Sequence, residues 1–317
     1  MSPKSEENGC VAVLGGTGWV GRHVCEAFAS RGHRVVALAR NPVPGVRHDA
    51  FVRLDLAAAA PGTIAEILRA EEVRVVVNAT DAANATDGWD RTEEQLARVN
   101  VDLVRRLLSA ITSLPRRPRL VHLGTIHEYG AVEPGVAIDE TVVPKPVSGY
   151  ARTKLAGSNA VLEAAHTGLV DGVVLRAVNV CGPHPSPVSL PGRLLRLLDE
   201  ATRTGRMEVS VATDRRDFVD VRDLADAILR AADRPGLGCA VNIGSGTAVP
   251  MRDFVTLFVT SAGYPASILV ERPRPVRSLG GAWIEADIRR AGKLLDWVPR
   301  IPLGRSLRAM WETFRAG

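Results

Sequence analysis

Short, almost wholly apolar runs alternate with amphipathic stretches along the first 180 residues. Cys10–Leu14, Arg34–Ala39, Ala50–Asp55, Val73–Asn78, Arg119–Leu123 and Gly172–Arg176 each have the apolar character of a strand covered on both faces. Between them, apolar residues at three- and four-residue spacing predict helices over Trp19–Ser30, Pro61–Ala70, Thr92–Ile111 and Gly149–Thr167. Arg31-Gly-His33 stops the first helix, and Pro115 and Pro118 stop the third. Strand, helix and strand in units of about 30 residues predict an α/β protein with a Rossmann-type, doubly wound parallel sheet. After Gly182 the character changes. Pro183-His184-Pro185 and Pro187 open a loop-rich region, with helices expected over 192–202 and 223–232 and short strands near 207–211 and 241–243. The expected organisation is a loose tail over 1–9, then a cofactor domain over 10–182 with returning segments at about 216–245. A smaller mixed α/β substrate domain is expected from 183–215 and 246–317.

The first strand runs into Gly15-Gly16-Thr17-Gly18-Trp19-Val20-Gly21, which opens the first helix. Glycines there allow a tight turn and close approach of backbone to a pyrophosphate, while the helix N-terminus offers free N–H groups and a partial positive charge. A plain strand-to-helix turn is the bland alternative. The second strand ends on Ala39-Arg40, where an NAD-binding chain usually carries an acid for the ribose 2′-hydroxyl. Arg40, helped by Arg22, can pair with a 2′-phosphate instead, which favours NADPH/NADP+ over NAD. Asp55 is a candidate for the adenine amine, or simply a turn aspartate.

Composition narrows the function classes. The 317 residues are 46% hydrophobic and 24% charged, which suits a large core and excludes a disordered chain. The formal charge of +5 is carried by scattered arginines, with lysine only at 4, 145, 154 and 293, so a nucleic-acid surface is not expected. Cys10, Cys25, Cys181 and Cys239 are far apart, and neither a metal site nor a disulfide framework is expected. The polar first ten residues and the lack of a long apolar run point to a cytoplasmic chain without a membrane span. The Asn78 and Asn84 sequons then read as chance.

Tyr150-Ala-Arg-Thr-Lys154 puts a phenol and an amine one helical turn apart, on one face. An ammonium beside a phenol favours phenolate and makes the tyrosine a usable proton donor or acceptor. Thr125, closing the strand about 25 residues earlier, offers a hydroxyl for a substrate carbonyl. With these residues the chain resembles the extended short-chain dehydrogenase/reductases that act on nucleotide sugars, over nearly its whole length. The glycine loop is similar to that family's GGTGFIG, and Val99-Asn100 to its helix-four asparagine. Thr125 through Tyr129-Gly130 is similar to its Ser/Thr-x-x-V-Y-G. Arg176-Ala-Val-Asn179-Val-Cys-Gly-Pro183 resembles LRxxNVYGP, Arg216 through Asp223 resembles RDFVxVxDxA, and Asn242 through Gly246 resembles the NxGxG strand.

The resemblance implies that Thr125, Tyr150 and Lys154 are catalytic. It implies a cofactor site of Gly15, Thr17, Gly18, Trp19, Val20, Gly21, Arg40, Asp55, Leu56, Ala79, Thr80, Asn100, Tyr150 and Lys154. It places the nucleotide-sugar pyrophosphate against Asn179, Arg216 and either Arg272 or Arg274, with His127 also facing the substrate. Arg272-Pro-Arg-Pro275 departs from the family's RPGD-type loop. A homodimer through the helices starting near Thr92 and Gly149 is implied by analogy.

Three chemistries share such a scaffold. Nucleotide-sugar 4,6-dehydratases carry T-D-E-V-Y-G, and here the acid and base positions hold Ile126 and His127. Enzymes that epimerise and then reduce carry a cysteine near that place and a histidine after Gly-Pro. His184 fits the second feature, as a catalytic or an ordinary loop histidine. C4-epimerases typically carry the acid missing at Ala39-Arg40. The pattern His122 through Gly130 resembles 4-ketoreductases of deoxysugar pathways for secondary metabolites. The expectation is NADPH-dependent reduction of a dTDP-linked 4-keto-6-deoxyhexose. An epimerase and a non-catalytic NADP-binding protein are the alternatives.

Overall fold

The computed structural model describes residues 9–81, 92–272 and 281–316. The expected tail apart from Gly9, the Asn84 sequon and Arg274 lie outside the described residues. In chain order the strands are β1 (Cys10–Leu14), β2 (Arg34–Ala39), β3 (Ala50–Arg53), β4 (Val73–Asn78), β5 (Arg119–Thr125), β6 (Gly172–Ala177), β7 (Asn179–Cys181), β8 (Met207–Val209), β9 (Arg215–Asp220), β10 (Ala240–Ile243), β11 (Ala248–Pro250), β12 (Leu269–Glu271) and β13 (Trp283–Ile284). The α-helices are α1 (Trp19–Ser30), α2 (Pro61–Ala70), α3 (Glu93–Ala97), α4 (Leu103–Thr112), α5 (Gly149–His166), α6 (Leu190–Thr204), α7 (Val221–Ala232), α8 (Met251–Ser261), α9 (Arg289–Leu295) and α10 (Leu303–Ala316). No helix among the described residues is long and apolar enough to cross a membrane.

Seven strands form one sheet in the order β10-β6-β5-β4-β1-β2-β3, with every pairing parallel. The chain order reverses between β1 and β4, which opens a crevice at the carboxyl ends of these strands, where ligands of doubly wound folds sit. The continuous apolar runs exist because both faces are covered. Val11, Val13, Val35 and Ala37 pack under Val24 and Phe28 of α1 and Leu224 and Ile228 of α7. Ala12, Leu14, Val36 and Leu38 face the opposite side, with Ile64, Leu68, Leu103, Leu107 and Val161.

The expected single helix over Thr92–Ile111 is α3 and α4 joined by a π-helical stretch at Arg98–Asp102. Thr92 caps it, accepting from the Gln95 N–H at 3.3 Å while Gln95 Oε1 accepts from the Thr92 N–H at 3.0 Å. The widened turn holds Asn100 against α5, where its amide donates to Thr153 Oγ1 at 3.0 Å. The two elements lie so close that a Cβ on Gly157 would stand 2.1 Å from the Asn100 carbonyl oxygen.

β9 was expected to return with the cofactor domain. It pairs instead with β7, β11 and β13 in a separate smaller sheet. The cause is visible in Phe218. Its ring stacks on Phe254 at 4.0 Å, in a second core built from α6, α8 and α10. Only α7 and β10 from the returning segment join the large sheet. The expected strand Ala50–Asp55 stops at Arg53, because Asp55 turns the chain: its carboxylate accepts from the Ala57 N–H at 3.1 Å.

A buried ion pair ties the carboxyl end of β5 to its neighbours. Glu128 is fully buried, and its Oε2 accepts from Arg176 Nε at 2.7 Å, with Arg176 itself 4% exposed. Its Oε1 accepts from the Thr125 N–H at 3.0 Å and from Ser158 Oγ at 2.8 Å. The Arg176 guanidinium also lies 4.6 Å from the centre of the Tyr129 ring, whose hydroxyl donates to Asn242 Oδ1 at 3.0 Å. Three hydrogen-bond donors, one each from β5, α5 and β6, thus converge on this one carboxylate. Removing one charge strands the other in the interior. Glu128→Ala is expected to lower unfolding free energy by about 3–5 kcal/mol. Chemical denaturation measures this, and a loss below about 1 kcal/mol would contradict it.

Candidate active site

The glycine loop is shaped as a phosphate cradle requires. Gly15 has φ +76°, which disfavours any side chain, and Gly18 N–H returns to the Gly15 carbonyl at 2.9 Å. A Cβ on Gly21 would stand 2.0 Å from that same carbonyl. The N-cap of α1, Gly18, makes no side-chain cap, so the first N–H groups of the helix face the crevice. Thr17 and Val20 lie in this loop and first turn. Trp19 Nε1 donates to the Pro183 carbonyl at 2.9 Å, and His23 Nε2 reaches the same oxygen at 3.0 Å. Burial holds the His23 pKa down at about 4, so at neutral pH it is a neutral N–H donor. These bonds tie the cofactor helix to the loop that leads into the second core. His184 follows there with φ +54°, its ring 6.1 Å from that of His23.

At the ribose end, Arg40 is exposed at the end of β2 and Arg22 is half-buried on the first turn of α1. Arg22 is close to Gly45, and burial lowers its pKa. Neither guanidinium has a hydrogen bond or ion pair among the described residues. Two such cations beside Ala39 suit an anion. Asp55 is exposed and one carboxylate oxygen accepts from the Ala57 N–H in the turn, and Leu56 beside it is buried. Ala79 and Thr80 lie against Gly15, with the Ala79 N–H donating to the Leu14 carbonyl at 3.1 Å. Asn100 is buried with its Oδ1 lacking a partner in the structure. The loop, the free N–H groups and the unpaired arginines fit a dinucleotide.

Thr125, Tyr150 and Lys154 come together at the carboxyl end of β5 and the start of α5. Thr125 is buried and caps the short 3₁₀ turn Ile126–Tyr129. Ser148 caps α5 by accepting from the Ala151 N–H at 3.1 Å, which fixes Tyr150 in the first turn. The Tyr150 hydroxyl donates to Asp81 Oδ2 at 3.2 Å. Lys154 is buried, and its Nζ donates to the Leu123 carbonyl at 2.6 Å. The spacing of Tyr150 and Lys154 predicted a lowered phenol pKa, and the structure shows the opposite. Burial first, then the carboxylates of Asp81 and Glu128, hold Tyr150 well above the usual phenol range, against the Thr125 hydroxyl hydrogen bond, which pulls down. The lysine's ammonium donates to a backbone oxygen, and burial remains the largest cause.

On the substrate side, His127 Nδ1 is buried without a partner in the structure. Burial and the nearby Arg216 charge push its pKa down to about 4, so it is neutral above that pH. Arg216 is buried and donates to Asp214 Oδ2 at 2.6 Å. Asn179 is half-buried, and its amide donates to the Asp217 carbonyl at 3.1 Å. His127 and Arg216 therefore stand together. Arg272 is exposed and paired with Glu208 at 2.5 Å, in a cavity of about 500 Å³ lined also by Leu197, Glu200 and Arg206. Sequence reasoning missed Asp81, Asp214 and the burial partners Glu128, His122 and Asn78. The end of β4, a ligand-facing strand end, was the signal that could have marked Asp81.

The profile of the NAD dependent epimerase/dehydratase family matches residues 11–244. A dTDP-6-deoxy-L-talose 4-dehydrogenase (NAD(P)(+)) from Kitasatospora kifunensis is 36% identical over 309 residues, 95% of this chain and 94% of that protein. A UDP-glucose 4-epimerase from Rhizobium leguminosarum bv. trifolii is 27% identical over 326 residues, 95% of this chain and 96% of its own. Among solved structures, MoeE5 in complex with UDP-glucose and NAD superposes with a TM-score of 0.83 at 26% identity, covering 96% of this chain and 98% of that one. A seven-stranded parallel sheet, a glycine loop over a helix N-terminus and a threonine, tyrosine and lysine at one strand end agree with these likenesses. The chain belongs to the NAD dependent epimerase/dehydratase family of extended short-chain dehydrogenase/reductases, NAD(P)-dependent enzymes that modify nucleotide sugars.

Proposed function

We propose that the protein reduces the C4 ketone of a nucleotide-linked, dTDP-borne 4-keto-6-deoxyhexose with NADPH, as a step in making a deoxysugar for a secondary metabolite. The observation that carries this reading is the state of Tyr150. It is held as a phenol, the proton-donating form, by burial and by Asp81. The 36% identical relative is named for oxidation at C4 of a dTDP-6-deoxyhexose, which is the reverse of this reaction at the same carbon. Ile126 and His127 stand where elimination would need an acid and a base, which argues against dehydration.

When bound, the dinucleotide supplies the hydride for C4. The Tyr150 hydroxyl gives its proton to the C4 oxygen as negative charge develops there. The Thr125 hydroxyl donates a hydrogen bond to the same oxygen. Lys154 holds the nicotinamide ribose, and Asn100 supports α5 beneath it. Arg216 and Asn179 take the pyrophosphate of the sugar nucleotide, with Arg216 sharing its guanidinium between phosphate and Asp214. Arg40 and Arg22 select the 2′-phosphate of NADPH. The surroundings of Arg272 favour an ion pair with Glu208 over a phosphate contact. A homodimer through the helices starting near Thr92 and Gly149 belongs to the same reading. The rival reading is a C4-epimerase, supported by the 27% identical relative and by the NAD of the MoeE5 complex.

Purified protein mixed with NADPH and dTDP-4-keto-6-deoxyglucose, or with its C5 epimer, is expected to consume NADPH and yield a C4 alcohol. Retained NAD with interconversion of C4 epimers, and no NADPH loss, would overturn the reading in favour of an epimerase. Tyr150→Phe is expected to lower kcat by about 10²–10⁴-fold with the protein still folded, since it removes the proton donor. Normal turnover in that variant would contradict the assignment. Arg40→Ala is expected to raise the KM for NADPH roughly tenfold while leaving that for NADH unchanged, as for loss of one charge-assisted hydrogen bond. Equal effects on both cofactors would contradict the role given to Arg40.

A further inference from the structure

The turn that follows β4 is built to present one carboxylate to Tyr150. Asn78 closes the strand, fully buried. Its Oδ1 accepts from the Thr80 N–H at 3.2 Å and from the Thr80 hydroxyl at 2.6 Å, closing an Asx turn. Its amide nitrogen meets Nδ1 of His122 on the neighbouring strand at 3.1 Å. With Oδ1 accepting twice, the amide is the donor, so His122 Nδ1 is an acceptor and the ring is neutral. Burial and the Lys154 charge enforce that state by holding the His122 pKa well below its usual value. The turn is thereby fixed from two strands. The next residue, Asp81, accepts the Tyr150 hydroxyl at 3.2 Å.

We propose that Asp81 is a positioning residue that keeps Tyr150 in its protonated form and so biases the site toward reduction over oxidation. The directional part rests on the hydride-transfer reading above, and the part about the tyrosine does not. In reduction the C4 carbon gains hydride from NADPH, the Tyr150 O–H bond breaks, an O–H bond forms at the C4 oxygen, and water returns a proton to the phenolate. In oxidation the phenolate must take the proton from the C4 hydroxyl. A carboxylate accepting the phenol hydrogen bond stabilises the phenol and repels the phenolate. Among the described residues, Glu128 from the 3₁₀ turn and the Thr125 hydroxyl from β5 also face Tyr150, while Lys154 lies one turn along α5. Glu128 is neutralised by Arg176 at 2.7 Å. Among the described residues, Asp81 is therefore the carboxylate whose removal changes the tyrosine most.

The chain has three tyrosines, Tyr129, Tyr150 and Tyr264, so the ionisation of one is measurable. Tyrosinate absorbance of the full chain without substrate is titrated against pH, and the Tyr150→Phe curve is subtracted. Asp81→Asn is expected to move the Tyr150 ionisation down by about one pH unit, as for removal of a like charge in contact. Asp81 is exposed, and Asp81→Ala repeats the measurement should the amide disturb folding. A Tyr150 ionisation that stays in place in both variants, or moves up, would overturn the inference. The kinetic arm uses dTDP-6-deoxyhexose oxidation with NADP+. In Asp81→Asn its rising pH limb is expected to move down by the same interval, with several-fold faster oxidation near pH 8. An oxidation limb that does not follow the titration would overturn the directional role. A titration shift in a protein without ketoreductase activity leaves the tyrosine's partner established and removes the proposed function instead.

Discussion

The buried Glu128 carboxylate is the constraint on which the site depends. It takes the Thr125 N–H, the Ser158 hydroxyl and the Arg176 guanidinium at once, so the end of β5, the body of α5 and β6 are joined through one side chain. Thr125 closes the first of these elements, and Tyr150 and Lys154 lie on the second. Without that join, the Thr125 hydroxyl and the Tyr150 phenol would be held only by separate caps. The ion pair also sets the electrostatics of the site. It permits a carboxylate near the phenol without a net charge being left in the interior, so Asp81 becomes the group that decides the tyrosine's state.

The second core is attached to the first through contacts that start at the helix behind the glycine loop. Trp19 and His23 of the cofactor helix meet the Pro183 carbonyl, and Arg216 stands on β9 between Asp214 and the catalytic end of the large sheet. His127 faces Arg216 from the catalytic side. A nucleotide sugar lying across this junction would touch both cores. The smaller sheet holds β9, with Phe218 packed on Phe254, and so carries Arg216 rigidly.

Most of the architecture was legible in the chain. The observed bounds of α1, α2, β1, β2 and β4 match those read from the apolar runs, because strands covered on both faces are nearly continuously apolar and glycine or proline marks several of the ends, as Gly9 and Gly15 do around β1 and Pro61 at the start of α2. The π-helical stretch at Asn100 was not legible, since one widened turn leaves the apolar spacing on either side unchanged. The segment from about 216 was grouped with the cofactor domain because its neighbours in sequence belong there, and the pairing of β9 with β7, β11 and β13 puts residues 215–220 in the smaller sheet instead. Thr125, Tyr150 and Lys154 were legible by spacing and resemblance. Asp81 was not, since its partner lies 69 residues away, and the Asn78–His122 contact spans 44. Pairings of that range are made by the sheet order, which local sequence does not spell out. Arg272 is a motif position whose side chain forms an exposed ion pair with Glu208, a partner 64 residues away that local sequence does not announce.

Delivery of hydride to a single carbon is the central claim, and isotope transfer tests it most directly. NADPH deuterated at the nicotinamide C4 would be incubated with the dTDP-linked 4-keto-6-deoxyhexose in ordinary water, and the product examined by NMR and mass spectrometry. The account predicts one deuterium per product, bonded to the sugar C4, with no solvent exchange at C3 or C5 beyond that of the free ketone. Product without deuterium, or C4 epimers formed with the nicotinamide label retained in the protein, would contradict it.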